Sequence, residues 1–125
     1  MNVVDSSAWL EYFADGPNAE EFAEAIQDAA RLVVPSITLS EVFKRIRMQR
    51  DSEIALRAVS QMRRGTVVEL DADLAIAAAD LSADLKMALA DSVILATARA
   101  HGATVWTQDA DFDGLDNVEY RVHRA

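Results

Sequence analysis

The chain has 125 residues, 51% of them apolar, which predicts one domain spanning 1–125 with a sizeable core, since compact domains usually run about 50–250 residues. It has no cysteine, so disulfide frameworks and thiolate metal sites are excluded, and any metal must be held by oxygen or imidazole. Twelve basic against 21 acidic residues give a formal charge of -9. That opposes nucleic-acid binding through the field of the whole molecule, although a neutralised acid site or a local basic patch would be hidden in the sum.

Hydrophobic pattern and turn signals predict alternating strands and helices. The strands are Asn2 to Asp5, Leu32 to Pro35, Thr66 to Leu70, Thr104 to Thr107 and a weaker fifth at Val118 to Val122. The helices run Ser7 to Ala14, Asn18 to Ala30, Thr38 to Arg50, Ser52 to Arg63, Ala72 to Leu85 and Asp91 to His101, with Gly102 closing the last. No linker, repeat or low-complexity segment interrupts them. Alternation of this kind predicts an α/β sandwich with a mainly parallel sheet, whose ligands bind beyond the carboxyl ends of the strands. The first residues lack a basic segment and an apolar run, and nothing approaches the roughly 18 apolar residues of a membrane span. A cytoplasmic protein with no membrane attachment is expected.

Four acids sit at the edges of apolar segments: Asp5, Glu41, Asp91 and Asp109. Carboxylates that converge away from water repel one another and call for a divalent cation. Asp91, Ile94, Leu95 and Ala98 follow i, i+3, i+4, i+7, so this acid shares an apolar stripe; it also suits a helix N-cap, and one residue can serve both roles. Glu41 points away from the stripe of Leu39, Val42, Phe43 and Ile46, and reads equally as the end of a Thr38-Leu39-Ser40-Glu41 capping box or as a partner of Arg45. Asp109 opens the run Asp109-Ala110-Asp111-Phe112-Asp113-Gly114. The run imitates an EF-hand loop, but Tyr120 stands where the bidentate Glu belongs and a strand precedes it.

Taken in order, Val3-Val4-Asp5-Ser6-Ser7, Pro35-Ser36-Ile37-Thr38-Leu39-Ser40-Glu41, Leu89-Ala90-Asp91-Ser92-Val93-Ile94-Leu95-Ala96-Thr97-Ala98 and Val105-Trp106-Thr107-Gln108-Asp109-Ala110-Asp111-Phe112 resemble the motifs of PIN-domain ribonucleases. They look most like the VapC toxins of bacterial and archaeal toxin-antitoxin pairs, and the resemblance covers essentially the whole chain. It implies a three-layer α/β/α sandwich and a metal-dependent endoribonuclease in which Asp5, Glu41, Asp91 and Asp109 hold Mg²⁺ or Mn²⁺, Asp5 and Asp91 being the most dependable ligands. Ser7 and Thr107 match supporting hydroxyls, and Asp111 matches a position that substitutes for or assists Asp109. The implied partners are single-stranded or structured cellular RNA, a VapB-like antitoxin that covers the site, often with a basic side chain, and a second copy in a homodimer.

Lys44, Arg45, Arg47 and Arg50 follow Glu41 and suit either a solvated helix face or a path for an RNA backbone. Trp9, Tyr12 and Phe13 have core spacing, and neither His101 nor His123 is placed for catalysis. The competing reading is a catalytically silent PIN-fold module acting through protein partners. A receiver-like phospho-acceptor needs a Lys after a late strand, and neither Lys44 nor Lys86 is so placed.

Overall fold

The computed structural model describes all residues, 1–125, and contains five strands: β1 (Asn2–Val4), β2 (Leu32–Pro35), β3 (Thr66–Val68), β4 (Thr104–Thr107) and β5 (Val118–Tyr120). They form one sheet in the order β3-β2-β1-β4-β5, every pairing parallel. Six helices surround it: α1 (Ser6–Phe13), α2 (Ala19–Gln27), α3 (Ser36–Gln49), α4 (Ser52–Met62), α5 (Ala72–Leu85) and α6 (Leu89–Ala100).

Strand alternation sorts the core into two layers. Val4, Leu32 and Val34 face a cluster with Trp9 of α1, Phe22 and Ile26 of α2, Val42 and Ile46 of α3, and Ala58 and Met62 of α4. Val3, Val33 and Val105 face the other way, onto Ile94, Leu95 and Ala98 of α6 and onto Phe112. Helix α5 packs behind α6 through Ala78, Val93 and Ala96. The three-layer α/β/α sandwich expected from the sequence is therefore observed. Trp9 is core, stacked on Phe13 at 5.6 Å between centroids.

Element ends shift for local reasons. β1 stops at Val4 because Asp5 turns its carboxylate onto the Ser7 amide and caps α1. Helix α2 stops at Gln27, since Asp28 leaves helical dihedrals and Ala29–Arg31 tighten into a 3₁₀ turn. Two capping expectations are corrected. Helix α6 begins at Leu89 behind Ala88, so Asp91 lies inside the first turn and is not the N-cap. Helix α3 begins at Ser36 behind Pro35, and the Thr38 hydroxyl donates to the Pro35 carbonyl at 2.7 Å, so no capping box joins Thr38 to Glu41.

The chain runs outward from β1 through β2 to β3, then crosses back to lay β4 on the free side of β1. The reversal opens a crevice beyond the carboxyl ends of β1 and β4, where ligands of open α/β sheets bind.

Candidate functional site

Asp5 follows β1 at that crevice and is 3% exposed. Three donors converge on its Oδ2: the Ser7 amide at 3.2 Å, the Ser7 hydroxyl at 2.5 Å and the Thr107 hydroxyl at 2.9 Å. Both hydroxyls in turn accept backbone amides from the segment after β4, Ser7 Oγ from Gln108 at 3.2 Å and Thr107 Oγ1 from Asp109 at 2.9 Å. The two strand ends are thus sewn together, and Oδ1 of Asp5 is left without a protein donor. Burial pushes the Asp5 carboxyl above its ordinary value; the Ser7 and Thr107 bonds oppose that, and the charge of Asp109 adds to it.

Asp91 reaches the same crevice from the first turn of α6, on the helix face that buries Ile94, Leu95 and Ala98. Its carboxyl is raised from 3.8 to about 7, first by burial and then by the charges of Asp5, Asp109, Glu41 and Asp111. Asp109 caps the 3₁₀ turn Ala110–Phe112 and accepts the Asp111 amide at 2.9 Å. Carboxylate oxygens of Asp91, Asp109 and Asp111 lie within 4.8 Å of one another. Asp5 and Glu41 stand outside that triad but close enough to act on Asp91 electrostatically. Asp109 and Asp111 both belong to it.

Glu41, from the middle of α3, accepts a hydrogen bond from the Ser6 hydroxyl at 2.7 Å and makes no ion pair with Arg45. Ser6 is the partner that sequence reading missed. It sits beside Asp5, but the acid it holds is 35 residues away, beyond the reach of any local pattern. The two histidines stay away from the acids: the ring of His101 bonds the Thr97 carbonyl at 2.9 Å, and His123 is exposed in the tail.

None of the molecule's ion pairs involves these five acids. Three grouped carboxylates with two more acting on them, none in an ion pair and one raised to about 7 by burial and by the rest, form a donor set that a hard divalent cation fits. The basic residues gather elsewhere. Seven of the twelve, Lys44, Arg45, Arg47, Arg50, Arg57, Arg63 and Arg64, lie between Ser36 and Gly65, against three acids there, in an otherwise acidic molecule. Lys44, Arg45, Arg47 and Arg50 are all exposed, and Lys44 and Arg45 line a cavity of about 520 Å³ with Glu41 and Met48. Positive charge therefore begins at the rim of the acidic site.

Residues 3–118 match the family model described as PIN domain. No curated protein sequence matches significantly. Among solved structures, the chain resembles a toxin-antitoxin complex from Klebsiella pneumoniae at 22% identity and TM-score 0.79, covering 95% of this chain and 96% of that one. It also resembles VapC20 from Mycobacterium tuberculosis, described as a sarcin-ricin loop cleaving toxin, at 18% identity and TM-score 0.80, covering 97% and 99%. A DNA-bound VapBC from Salmonella typhimurium aligns at 20% identity and TM-score 0.71, covering 97% and 98%. At such identities the likeness concerns the fold. No helix is long and apolar enough to cross a membrane.

Proposed function

The chain belongs to the PIN domain family, and from that premise we propose that it is a metal-dependent endoribonuclease acting as the toxin of a toxin-antitoxin pair in the cytoplasm. The observation that carries the proposal is the triad of Asp91, Asp109 and Asp111 carboxylates, with Asp5 and Glu41 close enough to act on Asp91 and none of the five in an ion pair. Asp5, Glu41, Asp91 and Asp109 hold Mg²⁺ or Mn²⁺, and Asp111 assists Asp109. When bound, the cation supplies a water of lowered pKa and neutralises charge on the phosphoryl oxygens.

The protein's own residues set the geometry. Ser7 and Thr107 fix Asp5 through Oδ2, and its Oδ1, which has no protein donor, would be available to a cation. Ser6 holds the Glu41 carboxylate by one of its oxygens. Burial, with the acidic neighbours adding to it, keeps a proton on Asp91 up to about pH 7, and a cation held there would take the place of that proton. Lys44 and Arg45 at the rim, followed by Arg47 and Arg50, bind the phosphates of the RNA. Backbone recognition of this kind orients a strand without reading its bases. A site with this surplus of negative charge also suits an antitoxin that covers it with a basic side chain, and the structural likeness to VapBC complexes supports such a partner. A homodimer completes the proposed assembly.

The test is cleavage of single-stranded and structured RNAs by purified protein with Mg²⁺, Mn²⁺ or EDTA, beside Asp5→Asn and Asp91→Asn. Cleavage that depends on metal and is lost in both variants is expected; cleavage that survives both substitutions, or proceeds in EDTA, refutes the proposal.

A further inference from the structure

Asn18 stands at the N-cap of α2, where an Asn ordinarily turns its side chain onto the first helical amides, yet it makes no such bond. Its amide reaches across the molecule instead. Nδ2 donates to the Gln108 side-chain carbonyl at 3.1 Å and to the Val122 carbonyl at 2.8 Å, and Oδ1 accepts from Arg124 Nε at 2.8 Å. The Asn18 backbone amide donates to the Glu11 carboxylate at 2.8 Å. Asn18 is 1% exposed and Glu11 7%. Both amide protons and the carbonyl of a buried Asn are thus committed to residues 90 to 106 positions away.

Gln108 links Thr107 to Asp109. Its backbone amide is held by Ser7 Oγ and its side chain by Asn18, so the peptide that aims Asp109 is gripped from both sides. Glu11 fixes the grip. Its carboxylate lies so close against Gly16 that a Cβ there would collide with Oε1, and the turn from α1 to α2 closes tightly behind Asn18. Arg124 also donates to the Pro17 carbonyl at 2.6 Å, which ties the C-terminal tail to the same turn.

We infer that Asn18 is a positioning residue for the acidic site: through Gln108 it sets the direction of Asp109, and through Val122 and Arg124 it makes that direction depend on the docked C-terminal tail. The inference rests on the metal-site reading above. Partly fixed ligands bind a cation more weakly than fixed ones, and outer-shell partners of metal ligands typically matter about 10–100-fold. Asn18 is two bonds further out, and the expected effect is correspondingly smaller.

The experiment is Mn²⁺ titration by calorimetry of the wild type, Gln108→Met, Asn18→Ala and the double variant, with the hydrogen-exchange rate of the Asp109 amide measured without metal. Gln108→Met nearly preserves volume on a half-buried side chain and removes only the acceptor for Asn18. We expect it to weaken Mn²⁺ binding about threefold to tenfold and to speed exchange at Asp109. The double variant should bind no worse than Asn18→Ala alone, because that variant has already lost the link to Gln108. Arg124→Ala, which removes the donors to Asn18 Oδ1 and to the Pro17 carbonyl, should loosen the tail and move the exchange rate in the same direction. A wild type that binds no Mn²⁺ refutes the metal reading itself. A wild type and a Gln108→Met variant with equal Mn²⁺ affinity and equal Asp109 exchange overturn the positioning role alone, as do additive losses in the double variant.

Discussion

Replacing Asp91 by Asn should stabilise the metal-free protein above neutral pH. The Asp91 carboxyl is raised from 3.8 to about 7 by burial and by Asp5, Asp109, Glu41 and Asp111. Below 3.8 the group is protonated whether the chain is folded or not, and it imposes no penalty. Between 3.8 and about 7 the unfolded chain loses the proton while the folded one keeps it, so stability falls as pH rises; above about 7 the full penalty is present. Unscreened, the shift corresponds to roughly 4 kcal/mol, and the partial exposure of Asp91 to solvent brings it down to about 1–2 kcal/mol. Asn mimics the protonated acid. In urea denaturation with EDTA the variant should match wild type near pH 4 and exceed it by about 1–2 kcal/mol at pH 8, on the order of 5 °C in Tm. Saturating Mn²⁺ should reverse the order, because at a hundredfold excess over Kd it adds about 2.7 kcal/mol to whichever protein binds it. An Asp91→Asn variant no more stable than wild type at pH 8 in EDTA would refute the argument that burial and the neighbouring acids penalise the Asp91 charge.

Three further outcomes are expected. Since Mn²⁺ displaces the Asp91 proton, its affinity should rise about tenfold per pH unit below neutrality and level off above about 7; calorimetry in buffers of different ionisation enthalpy checks this, and a flat profile from pH 5 to 8 would contradict it. Joint replacement of Lys44, Arg45, Arg47 and Arg50 by Ala should weaken RNA binding and reduce the salt slope by about 0.7 for each phosphate no longer neutralised, with Mn²⁺ affinity retained; an unchanged slope in filter binding removes those residues from the RNA path. Gly16→Ala should cost about 1–3 kcal/mol, because its Cβ would press on the Glu11 carboxylate, and an unaltered urea midpoint would show that the turn yields.

Fold and site were legible to different depths. The alternation of valine-rich strands with amphipathic helices was readable because each strand residue faces one of two helix layers: Val3 and Val33 go one way, Val4 and Val34 the other. Asp91 was readable by helical phase, since Ile94, Leu95 and Ala98 do pack beneath the sheet. Its supposed N-cap role failed because α6 starts at Leu89 behind Ala88, a residue with no capping side chain to announce the start. Glu41 was not readable from its surroundings, which favoured a local cap; its partner Ser6 belongs to another helix. Asn18 misled in the opposite sense. It marks a helix start correctly, while its side chain spends its hydrogen bonds on the far end of the chain. Local patterns report periodicity and turns, whereas pairings across 35 to 106 residues exist only once the sheet has closed.

The order of the sheet governs when the acids can meet. β1 is made first but lies at the centre, and its second neighbour, β4, is made nearly last. The Asp5 amide donates to the Trp106 carbonyl at 2.9 Å, and the Asp5 carboxylate waits on Thr107. A chain that ends before β4 therefore lacks Thr107, Asp109 and Asp111, and with them a donor to Asp5 and two of the acids grouped with Asp91. Non-local parallel pairing of this kind is slow to form. Assembly of the acidic cluster is therefore tied to the pairing of the first strand with the fourth, and a chain cut short of β4 cannot bring its acids together.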